Sequence, residues 1–174
     1  MNIVLIGLRG SGKTTVGKIL AQKLGREFIE MDELVTRKAG LSIPEIVKKY
    51  GWGKFRELEE EITSRVAKLD NIINASGGGV VTSEKNIARL KQKGVLVWLQ
   101  ADVDTLFERI GEDSQRPPLA GGRTVREDME MTLKERKPLY QQAADLTVNT
   151  EDKAPEEVAG AIINLLKTRG FSLD

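Results

Sequence analysis

The chain has 174 residues, 40% of them apolar and 30% charged, which suits one domain with a buried core and a cleft. Its net charge of +1 gives no bulk electrostatic reason to bind nucleic acid or an anionic membrane surface. It contains neither Cys nor His, which excludes disulfides, thiolate zinc sites, a thiol nucleophile and an imidazole base. Catalysis would have to rest on carboxylates, Lys, Arg, hydroxyls, backbone amides and a hard cation, a set that suits phosphoryl transfer.

The first apolar run, "NIVLI" (2–6), reads as a strand that starts with no basic leader, and no run approaches the roughly 20 residues that span a bilayer. A cytoplasmic location is the corresponding expectation. "GLRGSGKT" (7–14) leads into a helix over 13–24, and "EFIEM" (27–31) is a second strand. Residues 32–69 form an elaborated crossover, helical over about 43–69, where Ser42 and Glu45 make a capping box and Pro44 sits in the first turn. "NIINA" (71–75) is a third strand and runs into the glycines of "SGGG". A helix over 83–93, a strand over 95–99 and a helix over 103–110 with Asp102 as N-cap follow. The segment 111–123, polar and rich in Gly and Pro between two helices, has the character of a lid. A helix over 125–142 starts at the capping box Thr124 and Glu127, then come a strand over 145–149 and a helix over 155–168. Strand and helix in alternation predict an α/β fold, a parallel sheet with helices on both faces.

Residues 7–14 match G-x-x-x-x-G-K-[ST] in full, after a strand and before a helix. In that setting backbone N–H groups turn inward around phosphate oxygens, and the helix dipole adds to the attraction. Gly10, Ser11, Gly12, Lys13, Thr14 and Thr15 are the expected ATP contacts, with Lys13 on the β- and γ-phosphates and Thr14 offering its hydroxyl to Mg²⁺. No N/T-K-x-D segment suggests a guanine-reading switch, and the third strand ends in Ser76 and glycines rather than in the Asp of a motor or transporter ATPase. A small-molecule kinase remains, and such an enzyme needs an acceptor pocket.

Three segments supply acceptor-side candidates: "EMDEL" past the second strand, Arg56 and Glu59 three apart in "GKFRELEE", and Arg136 in "ERKPLY". Together with "GLRGSGKTT", "SGGG" and "RPPL", their order and spacing resembles the shikimate kinase family over nearly the whole chain. The resemblance implies a three-layer P-loop kinase fold whose five-stranded parallel sheet runs in the order 2-3-1-4-5. It implies a single kinase domain over 1–174, with a substrate-binding subregion near 32–60 and the lid near 111–123. The implied reaction passes the γ-phosphoryl of ATP to the 3-hydroxyl of shikimate, with Mg²⁺, in aromatic amino-acid biosynthesis.

By motif, Asp32 matches the carboxylate that contacts the acceptor hydroxyls, and Arg56 and Arg136 match the arginines that hold the shikimate carboxylate. Gly78 and Gly79 match backbone contacts to the substrate, and Gly77 is left to shape the turn. Glu59 matches the partner that orients Arg56, Arg116 the lid arginine that closes over the phosphates, and Arg109 a residue packing against the adenine. Many members carry D-x-D after the second strand, and here the segment is Glu30-Met31-Asp32. Glu30 keeps the charge one methylene further out, which suits assistance to Mg²⁺ through water. The resemblance also implies a monomer, with no nucleic-acid or membrane partner. The rival readings are a gluconate or nucleotide kinase of the same superfamily, and a nucleotide-binding regulator without catalysis.

Overall fold

The computed structural model describes residues 1–111 and 122–173. Five strands, β1 (Asn2–Ile6), β2 (Glu27–Glu30), β3 (Ile72–Ala75), β4 (Gly94–Gln100) and β5 (Leu146–Asn149), form one sheet in the order β2-β3-β1-β4-β5. Every neighbouring pair is parallel. The helices are α1 (Lys13–Leu24), α2 (Met31–Ala39), α3 (Ile43–Tyr50), α4 (Trp52–Val66), α5 (Glu84–Lys91), α6 (Val103–Ile110), α7 (Val125–Ala143) and α8 (Pro155–Thr168).

Side chains alternate across a strand, and β1 and β4 are apolar at every buried position except Asn2, so each feeds two cores. Ile3 and Leu5 of β1 join Val95, Val97 and Leu99 of β4 beneath α1 and α8. Val4 and Ile6 join Leu96 and Trp98 on the other face, against Leu90 of α5 and Tyr140 of α7. At the β5 edge only Leu146 and Val148 are buried, while Thr147 and Asn149 face solvent. Among the described residues no helix is long and apolar enough to cross a membrane.

The crossover differs from its sequence reading. The second strand stops at Glu30, and Met31 and Asp32 already belong to the first turn of α2. Met31 is buried and its sulfur accepts from Asn74 Nδ2 at 3.3 Å, which draws the chain off the sheet edge and into the helix. The long helix expected over 43–69 is two helices, broken at Gly51, whose φ of 82° turns the chain. The break lets α2, α3 and α4 face one satellite core containing Val35, Ile46, Phe55 and Ile62, which a single straight helix could not enclose. The capping boxes at Ser42–Glu45 and Thr124–Glu127 and the Asp102 cap form as expected.

Candidate active site

The loop between β1 and α1 wraps the N-terminus of α1. Gly10 and Gly12 have φ of 82° and 95°, values that only glycine adopts without strain, and Gly12 is itself the N-cap of α1. The Lys13 ammonium donates to the carbonyls of Gly7 (2.7 Å) and Leu8 (3.0 Å), which holds its charge in the mouth of the loop. Ser11 is buried beneath it, and Thr15 is exposed at the rim. The Thr14 hydroxyl donates to Glu30 Oε1 at 2.7 Å, so the end of β2 and the start of α1 bring two hard oxygen donors together.

These residues line a cleft of about 780 Å³. Its far end is formed by Arg109, Thr150, Lys153 and Pro155. Arg109 donates to Thr150 O (2.7 Å), Thr150 Oγ1 (2.9 Å) and Gly10 O (3.3 Å). It therefore joins α6 to the phosphate loop and to the turn after β5.

A second pocket adjoins the cleft, and Asp32 and Gly78 line both, so they mark where two ligands would meet. Asp32 stands in the first turn of α2, where the helix dipole favours its carboxylate. The second pocket also holds Arg56, Glu59, Gly77, Gly79 and Arg136. Arg56 Nη1 donates to Glu59 Oε1 at 2.9 Å, and its guanidinium lies 5.2 Å from the Phe55 ring centre and 5.7 Å from that of Trp52. The Glu59 side chain is 3% exposed, and burial raises its pKa above the ordinary carboxylate range against the opposing charges of Arg56 and Arg136.

The three glycines after β3 have a clearer reason than a bare turn. A Cβ on Gly79 would fall on the Arg56 guanidinium, and one on Gly77 would lie 2.7 Å from Glu59 Oε2 and 3.0 Å from Asp32 Oδ1. Gly77 thus does more than shape the turn: with Gly79 it leaves the space in which the ionic side chains sit. At Gly78 a Cβ would stand 3.4 Å from Gly7 O, 3.6 Å from Arg136 Nη1 and 3.7 Å from the Tyr140 hydroxyl, so that glycine touches both halves of the site.

The residues expected at the site thus converge on the C-terminal edge of the sheet, with the exception of Arg116 and lid positions 112–121, which lie outside the described residues. Sequence reasoning missed Trp52, Phe55, Tyr140 and Thr150. Three of them had a usable signal: Trp52 and Phe55 precede Arg56 by four and one positions, and Tyr140 follows Arg136 by four, on the same helix face. Thr150 had none, because its partner Arg109 is 41 residues away.

A family model described as shikimate kinase matches residues 9–167. The chain belongs to the shikimate kinase family. A shikimate kinase of Thermodesulfovibrio yellowstonii is 42% identical over 93% of this chain and 92% of its own. One of Symbiobacterium thermophilum is 39% identical over 98% of both. Among solved structures, a shikimate kinase from Acinetobacter baumannii in complex with shikimate superposes with a TM-score of 0.92 at 36% identity, over 98% of this chain and 95% of that one. The observed sheet order is the one the family resemblance implied.

Proposed function

We propose that the chain is a single-domain kinase that transfers the γ-phosphoryl group of ATP to the 3-hydroxyl of shikimate, giving shikimate 3-phosphate and ADP for aromatic amino-acid biosynthesis. One observation carries this reading: a phosphate-binding cleft opens, at Asp32 and Gly78, into a pocket lined by three arginines, Arg9, Arg56 and Arg136. Arg56 and Arg136 present planar forks suited to the carboxylate of a small anionic acceptor.

In this reading Gly10, Ser11 and Gly12 cradle the phosphates with backbone N–H groups, and Thr15 completes the nucleotide contacts at the rim. Lys13 moves its charge from the loop carbonyls to the β- and γ-oxygens. Arg109, its edge tied to Gly10 and Thr150, offers a face to the adenine. Arg56 and Arg136 hold the acceptor carboxylate, and Gly78 and Gly79 bring backbone close to its ring. Asp32 then accepts the hydrogen bond of the 3-hydroxyl and takes its proton as the new O–P bond forms and the bond to the β-phosphate oxygen breaks, ADP carrying away that electron pair. In a loose transition state this orientation contributes more than basicity.

Thr14 and Glu30 fit Mg²⁺, since both are hard oxygen donors and stand 2.7 Å apart at the loop. Bound with the nucleotide, Mg²⁺ supplies charge neutralisation for the phosphates. Thr14 would hold it directly and Glu30 through water. We assign the enzyme to the cytoplasm as a monomer. Supporting the monomer, the exposed large apolar side chains among the described residues, Tyr50, Leu69 and Met131, are few and lie on separate segments.

The test is ADP release from ATP and Mg²⁺ with shikimate, gluconate, a nucleoside monophosphate or no acceptor. Turnover that requires shikimate is expected. Equal rates without acceptor, or preference for another acceptor, would refute the assignment.

A further inference from the structure

Tyr140 is wholly buried on α7, four residues after Arg136, and its ring stacks on Trp98 of β4 at 5.6 Å and an interplanar angle of 20°. The ring alone would account for a core residue, and a Phe would pack as well. The hydroxyl is different. It donates to the carbonyl of Gly78 at 2.5 Å, and both it and Arg136 Nη1 border Gly78, at 3.7 and 3.6 Å from where a Cβ would stand, so one buried oxygen sits between two parts of the acceptor pocket that are far apart in the chain.

The Gly78 carbonyl belongs to the peptide whose N–H is that of Gly79. The described backbone contains no cis peptide, and in a planar trans peptide the C=O and N–H point in opposite directions. Anchoring the oxygen on Tyr140 therefore directs the Gly79 N–H away from α7, and Gly79 lines the acceptor pocket. The same hydroxyl lies beside Arg136, whose Nη1 borders the same glycine. Within the three-glycine run the Gly77 carbonyl accepts from Val80 N (3.2 Å) and the Gly79 carbonyl from Thr82 N (3.0 Å) and Thr82 Oγ1 (2.6 Å), while the Gly78 carbonyl between them is the one that Tyr140 holds; glycine itself leaves both φ and ψ free.

We propose that Tyr140 is a positioning residue for the acceptor: its hydroxyl aligns the Gly78–Gly79 peptide and the Arg136 guanidinium with each other, so that both address one bound molecule. The proposal rests on the reading of this pocket as the shikimate site. It is not a catalytic role, because Tyr140 acts through Gly78 and Arg136. Burial also pushes the phenol pKa up to about 12, against the opposing influence of Arg136, so the donor persists throughout the pH range in which the enzyme would be assayed.

The test is Tyr140→Phe, which removes the hydroxyl and keeps the ring on Trp98. The KM for shikimate should rise about five- to thirtyfold, the effect of one lost buried hydrogen bond of about 1–2 kcal/mol. The KM for ATP should stay within about twofold. Shikimate titration without nucleotide, followed by the fluorescence of Trp52 in the pocket wall, should show the same loss. The effects of Tyr140→Phe and Arg136→Lys should be less than additive, since each removes the same alignment. An unchanged shikimate KM and affinity, or equal rises in both KM values with a lowered thermal midpoint, would overturn the proposal and leave the hydroxyl a satisfied core group. Arg136→Ala is the control for the underlying reading. If it leaves shikimate affinity intact, the pocket assignment itself fails; if it abolishes affinity while Tyr140→Phe does not, only the positioning role fails.

Discussion

Replacing Arg56 with Ala should damage the protein in two separable ways. Glu59 is 3% exposed, takes its hydrogen bond from Arg56 at 2.9 Å, and keeps Oε2 without a hydrogen-bond partner among the described residues. Removing Arg56 leaves the carboxylate buried beside only the more distant charge of Arg136. Breaking a buried pair costs about 3–5 kcal/mol, but Arg56 is itself 30% exposed, which places this case at or below the lower end. Protonation sets a ceiling. From the ordinary value of 4.5, neutralising the carboxyl at pH 7 costs about 3 kcal/mol, at about 1.4 kcal/mol per pH unit, and well under 1 kcal/mol at pH 5.

The sign follows directly. The folded-state pKa of Glu59 lies above its unfolded value and rises further without Arg56, so the folded state binds more protons above pH 4.5 and loses stability as pH increases through that window. The deficit of Arg56→Ala should therefore be about 2–3 kcal/mol at pH 7.5, a fall in Tm of about 4–12 °C, and about 1 kcal/mol or less at pH 5. Urea unfolding followed by circular dichroism at both pH values measures it. Adding Glu59→Gln should restore most of the stability and none of the shikimate binding. A deficit equal at the two pH values, or a double variant no more stable than the single one, would refute the argument that a buried charge is the cause.

Gly79→Ala places a methyl where the Arg56 guanidinium lies, and that flexible side chain can swing aside without breaking the fold. It should raise the KM for shikimate about tenfold with the KM for ATP unchanged, as read by steady-state kinetics in each substrate. Asp32→Asn should lower kcat by about 10²–10⁴ while leaving shikimate affinity within a few-fold, measured by turnover and by direct titration. Glu30→Ala should raise the Mg²⁺ concentration needed for half-maximal rate several-fold, since the Thr14 hydroxyl loses its 2.7 Å partner; an unchanged Mg²⁺ dependence would remove Glu30 from the metal site.

The features legible in the sequence are local ones. The phosphate loop, its flanking strand and helix, the two capping boxes and the Asp102 cap each depend on residues within a few positions of one another, where spacing alone fixes geometry. The Arg56–Glu59 pair belongs with them, because three residues on a helix is a shared face whatever the helix packs against. The break at Gly51 and the early turn of the chain at Met31 were not legible, since both answer to a satellite core assembled from three helices and the sheet edge.

Tertiary structure likewise decided what the glycines after β3 are for. Their sequence shows only missing side chains. The reason for those absences lies in Asp32 on α2, Arg56 and Glu59 on α4, and Arg136 and Tyr140 on α7, which parallel strand order brings to one edge of the sheet. Packing, acting between residues as far apart as Gly78 and Tyr140, determines which atoms occupy the space a Cβ would have filled, and no local spacing encodes that.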